Sequence, residues 1–232
     1  MRIASWNIRQ GGGRRLGDIC DALIGWTPDI VALQEVRRSG VAKVSEQLAA
    51  AGLKYSFYPE TGTGHENALF LASREPLDAG EFMPERTGLC HILEAQTMGL
   101  TVLPVHFPQK SAQVPLFEAL INDSESLLKH PCLIIGDLNC GLPFIDSTHK
   151  TFVNSRYLQG LKDAGWIDVY RQQHGEAARD YTWISPRSQR GFRYDHALAG
   201  STVADRLTGF TYDHEVRETG LSDHSGLVLE LD

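Results

Sequence analysis

A mixed α/β fold in one domain is what this 232-residue sequence predicts. Three observations carry the prediction. Strand and helix patterns alternate at the start, a strand-only stretch with no room for crossover helices follows, and alternating patterns return towards the end. The length suits one large core, since a chain of this size buries roughly 70 to 75% of its unfolded surface.

Arg2 to Ile8 reads as the first strand. Leu16, Ile19, Cys20, Leu23 and Ile24 recur at the three-and-four spacing of one helical face, and Pro28 stops that helix. Asp29 to Leu33 is a buried strand running into Gln34-Glu35, and Val41, Val44 and Leu48 open a second amphipathic helix. Asn67 to Ser73, Cys90 to Gln96 and Leu100 to Phe107 are strand patterns joined by turns, which predicts antiparallel pairing. A helix around Leu116, Leu120 and Leu127 precedes the apolar strand Cys132 to Ile135, and another helix lies near Val153 to Leu161. Short strands at Tyr181 to Ser185, Phe192 to Leu198 and Leu227 to Leu231 complete the chain. Gly11-Gly12-Gly13 followed by Arg14-Arg15 is a flexible strand-to-helix loop, and it lacks the Gly-Lys-Ser/Thr ending of a P-loop. No fixed-period repeat or coiled-coil heptad is present.

Composition narrows the function classes. With 42% hydrophobic and 22% charged residues the chain is an ordinary globular protein, not a disordered one. A net charge of −7 excludes the basic field of a protein that coats nucleic acid nonspecifically. A local basic strip or bound cations can still recognise phosphate. Cys20, Cys90, Cys132 and Cys140 contain no CxxC, so neither a disulfide framework nor a zinc site is expected. The N-terminus has no signal-peptide apolar region, and no run approaches the ~18 apolar residues of a membrane span. The expectation is a monomer in the reducing cytoplasm, without membrane insertion.

Polar chemistry gathers where the apolar strands end. Trp6-Asn7, Gln34-Glu35, His106 and Gly136-Asp137-Leu138-Asn139 each follow one. Tyr194-Asp195-His196 lies within another, and Ser222-Asp223-His224 precedes the last. Any one of these reads equally as turn or capping chemistry. Taken together they place several carboxylates at one site, where they resist ionisation unless a cation or histidine compensates them. Oxygen ligands point to Mg²⁺ or Mn²⁺. Hydrolysis of a phosphate ester needs an in-line water, stabilised nonbridging oxygens and help for the leaving oxygen. Asp195 is suited to hold His224 charged and oriented, and Asp137 to take a proton from the water.

Trp6-Asn7, Leu33-Gln34-Glu35, Gly136-Asp137-Leu138-Asn139, Arg193-Tyr194-Asp195-His196 and Ser222-Asp223-His224, in that order, resemble the motif series of the endonuclease/exonuclease/phosphatase superfamily. That group includes exonuclease III, abasic-site endonucleases, deoxyribonuclease I, sphingomyelinases and inositol polyphosphate 5-phosphatases. The resemblance implies a four-layer α/β sandwich over residues 1–232, with two mixed sheets packed face to face, helices outside, and the site at one edge.

It also implies roles. Glu35 would be the main metal ligand, with Asn7 and Asp223 nearby, and Asp137 and Asn139 would position water or a phosphate oxygen. His224, paired with Asp195, would stabilise the transition state; whether Asp137 or His224 is the base stays open, with Asp137 favoured. His106 would contact phosphate or protonate the leaving oxygen, as the histidine of the deoxyribonuclease I and sphingomyelinase branches implies. Asn67 would reach a phosphate or serve only as a turn residue, and Trp183 would stack on a base or sugar or pack as a half-buried core residue. Apart from the resemblance, Arg14, Arg15, Arg187, Arg190 and Arg193 read either as a basic rim or as scattered surface arginines. Two departures count against abasic-site repair: no Asn follows the proline in Pro104 to Gln109, and His196 stands where tyrosine or an apolar residue is commoner. The implied activity is a metal-dependent nuclease acting on DNA or RNA; the alternative is a phosphoesterase for a lipid head group, inositol phosphate or other small ester.

Overall fold

The period-two alternation of the strands decides which side chains meet. In the computed structural model, which describes residues 1–59, 66–80 and 91–232, strand β1 (Arg2–Asn7) turns Ile3 one way and Ala4 and Trp6 the other. Strand β8 (Cys132–Asp137) likewise sends Leu133 and Ile135 inward and Ile134 outward. Each sheet therefore has two apolar faces, and both are covered.

The first sheet contains β1, β2 (Ile30–Arg37), β3 (Tyr55–Phe57), β4 (Asn67–Ser73), β13 (Leu207–Asp213) and β14 (Gly226–Leu231), in the order β13-β14-β1-β2-β4-β3. Only β1 and β2 pair in parallel. The second sheet contains β5 (Asp78–Ala79), β6 (Ala95–Thr97), β7 (Leu100–His106), β8, β9 (Ile167–Asp168) and β12 (Asp195–Ala199), in the order β5-β6-β7-β8-β12-β9, with β7 and β8 parallel. A short hairpin, β10 (Trp183–Ile184) and β11 (Gly191–Phe192), stands apart from both.

Ile3, Ile30, Leu71, Val102, Leu133, Ala197 and Leu229 fill the space between the sheets. Helices α1 (Leu16–Gly25) and α2 (Arg38–Ala50) cover the outer face of the first with Ile19, Leu23, Val44 and Leu48. Helices α3 (Val114–Leu127) and α4 (Ser155–Asp163) cover the second with Leu116, Phe117, Leu158 and Leu161. The result is the four-layer α/β sandwich.

The sequence patterns differ from the structure in a few places. Phe192 to Leu198 is not one strand: Arg193 and Tyr194 interrupt it, leaving β11 and β12. Of the Cys90 to Gln96 pattern, Cys90 lies outside the described residues, Ile92 makes one bridge to Val105, and the strand proper is β6. The patterns gave no sign of β13, an edge strand with only Phe210 and Tyr212 buried and a register shift near its start, or of the short helices α5 (Val169–His174), α6 (Ser201–Ala204) and α7 (Glu215–Glu218).

Candidate active site

The two parallel strand pairs, β1–β2 and β7–β8, end at the same edge of the sandwich and bring Asn7, Glu35, His106 and Asp137 together. Gly136 makes the last approach possible. Its φ is +138°, and a Cβ there would lie 2.2 Å from the Val105 carbonyl oxygen.

Glu35 reaches the site through a bulge. The β2–β4 register shifts between Leu33 and Val36, and Glu35 sits at φ +60° inside the strand. Its carbonyl accepts a 2.7 Å hydrogen bond from Gly11 N–H, so the glycine loop holds this left-handed conformation. A non-glycine residue in that region is a recurrent mark of functional sites.

The Glu35 carboxylate accepts from Gln10 N–H at 2.7 Å, the Asn67 amide at 2.9 Å and the Asn7 amide at 3.2 Å. Asn7 donates to Asp137 as well, at 3.1 Å, bridging the two carboxylates. Asp137 accepts a 2.8 Å bond from the Asn139 backbone N–H, and the Asn139 side chain donates to the Phe107 carbonyl at 2.9 Å.

His224 enters from the opposite side. Its Nδ1 lies 2.9 Å from Asp195 Oδ2, and its Nε2 faces Asp137 Oδ2 at 3.9 Å. Trp6 Nε1–H donates to the His224 carbonyl at 2.9 Å, and Ser222 Oγ–H to the Asn7 carbonyl at 2.6 Å, fixing the turn against β1. His106 Nε2 spans the gap, 3.9 Å from Glu35 and 4.0 Å from Asp137. Asp223 accepts from Trp183 Nε1–H at 3.3 Å. A cavity of about 320 Å³ opens among these groups, lined by Glu35, His106, Asp137, Asn139, Trp183, Asp223 and His224.

Burial separates their proton affinities. It pushes the Asp137 carboxyl up to about 7, with Asp195 adding to the rise and His224 opposing it. For His224, burial by itself disfavours the charged ring, but the Asp195 carboxylate overrides it and lifts the imidazolium to about 10. Asp195 is held below the usual carboxylate range because His224 outweighs its burial. His106 is driven down to about 4, first by burial and then by the other histidines, with Glu35 opposing. Two carboxyls and two imidazoles thus occupy four different states, the pattern of a site built for proton transfer.

Ten of the eleven expected site residues lie in or beside this cluster; Asn67 and Asp195 reach it through Glu35 and His224. Arg193 does not. Its side chain is 0% exposed, with Nε on Asp146 Oδ1 at 2.6 Å and both terminal nitrogens on Asp168. Asp146 and Asp168 take Arg193 into the interior, so it belongs to no basic rim. Arg15 is also spent internally, on the Leu221 and Arg9 carbonyls. Arg14, Arg187 and Arg190 are exposed. The sequence reading missed Gln10, Thr182 and Tyr194. Gln10 and Thr182 contribute through a backbone N–H and a buried hydroxyl, which leave no signal in sequence; Tyr194, which lines the cavity, lies within the Arg193–His196 motif.

The sequence matches the description "Endonuclease/Exonuclease/phosphatase family" over residues 4–224. The chain belongs to that family. Its members hydrolyse phosphoester bonds, and this chain is an enzyme of that kind. No curated protein sequence matches it. Among solved structures it is similar to the 3′ phosphatase NExo from Neisseria bound to product DNA hairpin, with a TM-score of 0.86 and 23% identity over 100% of this chain and 99% of that one. An AP endonuclease from Archaeoglobus fulgidus gives 0.85 and 22% over 100% and 99%. The 3′-5′ exonuclease NExo from Neisseria meningitidis gives 0.84 and 24% over 100% of both chains. At these identities the likeness establishes the family fold.

Proposed function

We propose that residues 1–232 form one catalytic domain, a divalent-metal-dependent phosphodiesterase that cuts nucleic acid, DNA in the first instance. The observation that carries the reading is the opposition of His224 Nε2 and Asp137 Oδ2 at 3.9 Å above an open cavity, with Asp195 2.9 Å behind the imidazole. A phosphate seated in the cavity against both groups would meet a charged donor on one side and a carboxylate base on the other.

Asp137, at about 7, is suited to take the proton of an attacking water, and the Asn139 N–H orients it. His224, charged and pinned by Asp195, donates Nε2–H to a nonbridging oxygen as charge builds there. This division favours Asp137 over His224 as the base. His106, driven down to about 4, is neutral near pH 7 and serves as a phosphate contact through its ring N–H. Trp183 packs 5.6 Å from Tyr194 and forms, with Phe192, an aromatic wall able to stack on a base. Asn67 acts through Glu35, which it holds at 2.9 Å.

The donor set fits a hard cation. Glu35, Asp137 and Asp223 put three carboxylates on one cavity, and the charged groups facing them stand off: Arg9 at 3.9 Å from Asp223, and the His224 imidazolium at 3.9 Å from Asp137. Glu35 and Asp223 would hold Mg²⁺ or Mn²⁺, which when bound polarises the phosphate and stabilises the leaving oxygen. Asn7 offers its amide N–H to Glu35 and Asp137, and its Oδ1 accepts from Arg9 N–H at 3.0 Å, so it would become a ligand only with its amide turned over. Asp137, Asp195 and His224 also bring ligand-type atoms within 4.8 Å of one another. We read that trio as proton chemistry, because His224 Nδ1 is already committed to Asp195.

A second reading, hydrolysis of a small or terminal phosphoester, is favoured by the −7 net charge, which repels a polyanion. Incubation with labelled single-stranded, duplex and abasic oligonucleotides in Mg²⁺ and Mn²⁺ decides between them. Metal-dependent cleavage supports the nuclease; intact strands with phosphate released from a 3′ end or a small ester would replace it with the second reading.

A further inference from the structure

A second histidine–aspartate pair lies behind the first, on the side away from the cavity. We propose that His214 and Asp180 are positioning residues that hold His224 in its catalytic pose through Ser225. The proposal rests on the reading of His224 as the group that faces the phosphate.

The geometry closes a ring. His214 Nδ1 lies 2.8 Å from Ser225 Oγ, and His214 Nε2 lies 3.0 Å from Asp180 Oδ1. Asp180 Oδ1 also accepts from the Tyr181 N–H at 2.8 Å, and the Tyr181 carbonyl is held by Arg217 at 2.8 Å. The next residue, Thr182, then reaches Asp195 and the residue that follows His224. Its carbonyl accepts from Ser225 N–H at 2.8 Å, and its Oγ1 accepts from the N–H groups of Tyr194 at 3.0 Å and Asp195 at 3.2 Å. Asp195 bonds His224, and His224 is joined to Ser225 by one peptide.

These groups are not a hydrolytic triad of their own. Ser225 is 0% exposed, and both ring nitrogens of His214 are engaged. What they can do is fix a backbone. Trp6 and Ser222 hold the 222–225 turn against β1, while His214 holds the Ser225 end against the 180–182 segment. If His214 is removed, the Ser225 hydroxyl loses its partner in a buried place and the turn is tethered from one side only. The ring tolerates either protonation state, because the Ser225 hydroxyl can donate to Nδ1 or accept from it. It therefore acts as a brace, not as a switch.

The test compares His214→Ala with His214→Asn, whose amide can still reach Ser225 Oγ. The expected result is a kcat loss of about tenfold in His214→Ala with KM unchanged, since small misplacements of a catalytic group act on the transition state, and recovery in His214→Asn. In a His224→Ala background the His214→Ala change should cost nothing further. An equal loss in both backgrounds, or wild-type kcat in His214→Ala, overturns the proposal. Should His214→Ala fail to fold, Asp180→Asn takes its place in the same cycle. The NMR resonances of the His224 ring read the pose without any substrate: they should move in His214→Ala and return in His214→Asn, and unmoved resonances overturn the proposal. A wild-type protein that cleaves no phosphodiester would defeat the functional reading and leave this spectroscopic arm to decide the brace.

Discussion

Two clusters of carboxylates and cations sit within a few residues of each other in this chain, and they behave oppositely. In one, Arg171 and Arg193 meet Asp146 and Asp168 in contacts that include 2.5 Å from Arg193 to Asp168 and 2.6 Å from Arg193 to Asp146, with every side chain at most 3% exposed. In the other, Glu35, Asp137, Asp195 and Asp223 face two histidines, most of them at about 4 Å, around an open cavity. The closed cluster drives Asp168 far below the ordinary carboxylate range although burial opposes this. The open one lets burial raise Asp137 to about 7. Equal charge and close geometry make an anchor; charge left unmatched beside a cavity makes a reagent.

The largest test of this contrast is loss of the reagent. Asp137→Asn and His224→Ala should each lower kcat by about a thousandfold or more, as loss of a base or of a charge-stabilising donor does. Asp137→Asn should also leave the melting temperature unchanged or higher. A carboxyl whose folded pKa is raised loses its stabilising contribution as pH rises through about 7, so removing it relieves the fold at neutral and alkaline pH. A variant that is both inactive and less stable would show that Asp137 is an anchor too.

Breaking the anchor comes next. Arg193→Met leaves Asp168 with the Arg171 backbone N–H at 3.3 Å and the Arg171 guanidinium at 3.6 Å, and should cost about 3 to 5 kcal/mol in urea unfolding. Asp168→Asn reports the same cluster through pH. Because the Asp168 pKa is depressed, wild-type stability from this pair is present at neutral pH and disappears as pH falls through the acid range, and the variant should lack that acid limb.

Arg193 also marks the limit of what the sequence discloses. Ten of the residues read from the sequence do assemble: Asn7, His106 and Asp137 end strands of the two parallel pairs, Glu35 stands on a bulge, and the others lie where strands begin or in the loops beside them. The eleventh was an arginine among other arginines, and its partners lie 25 and 47 positions away at Asp168 and Asp146. Nothing local distinguishes it from a surface residue. The Glu35 bulge was hidden for a related reason: the strand reads as continuous, and only the register with β4 reveals the extra residue. The mixed α/β class was legible in the strand and helix patterns and the four-layer sandwich in the family resemblance, whereas the half-exposed edge strand β13 was in neither.

The pH dependence of turnover sharpens the same contrast more finely. Activity should rise as pH passes about 7, when Asp137 loses its proton, and fall as pH nears about 10, when His224 loses its own. A divalent cation beside Asp137 favours the carboxylate, so the acid limb of the kcat/KM profile should move down as Mg²⁺ is raised. An acid limb that ignores Mg²⁺ would place the cation away from Asp137.

The smallest effect concerns the surface. Arg187 and Arg190 are exposed on the turn between β10 and β11, the hairpin that also carries Trp183 into the cavity wall. If that turn meets a phosphate backbone, Arg187→Ala and Arg190→Ala should each weaken oligonucleotide binding uniformly across sequences and reduce the salt slope by about one. Turnover of a small phosphodiester should not change, since neither side chain reaches the catalytic cluster. With a net charge of −7 the protein as a whole repels nucleic acid, so a local contact of this kind would have to work against the overall field. An unchanged salt slope in both variants would assign the approach of the strand to the bound cation and the histidines alone, leaving the hairpin to hold Trp183.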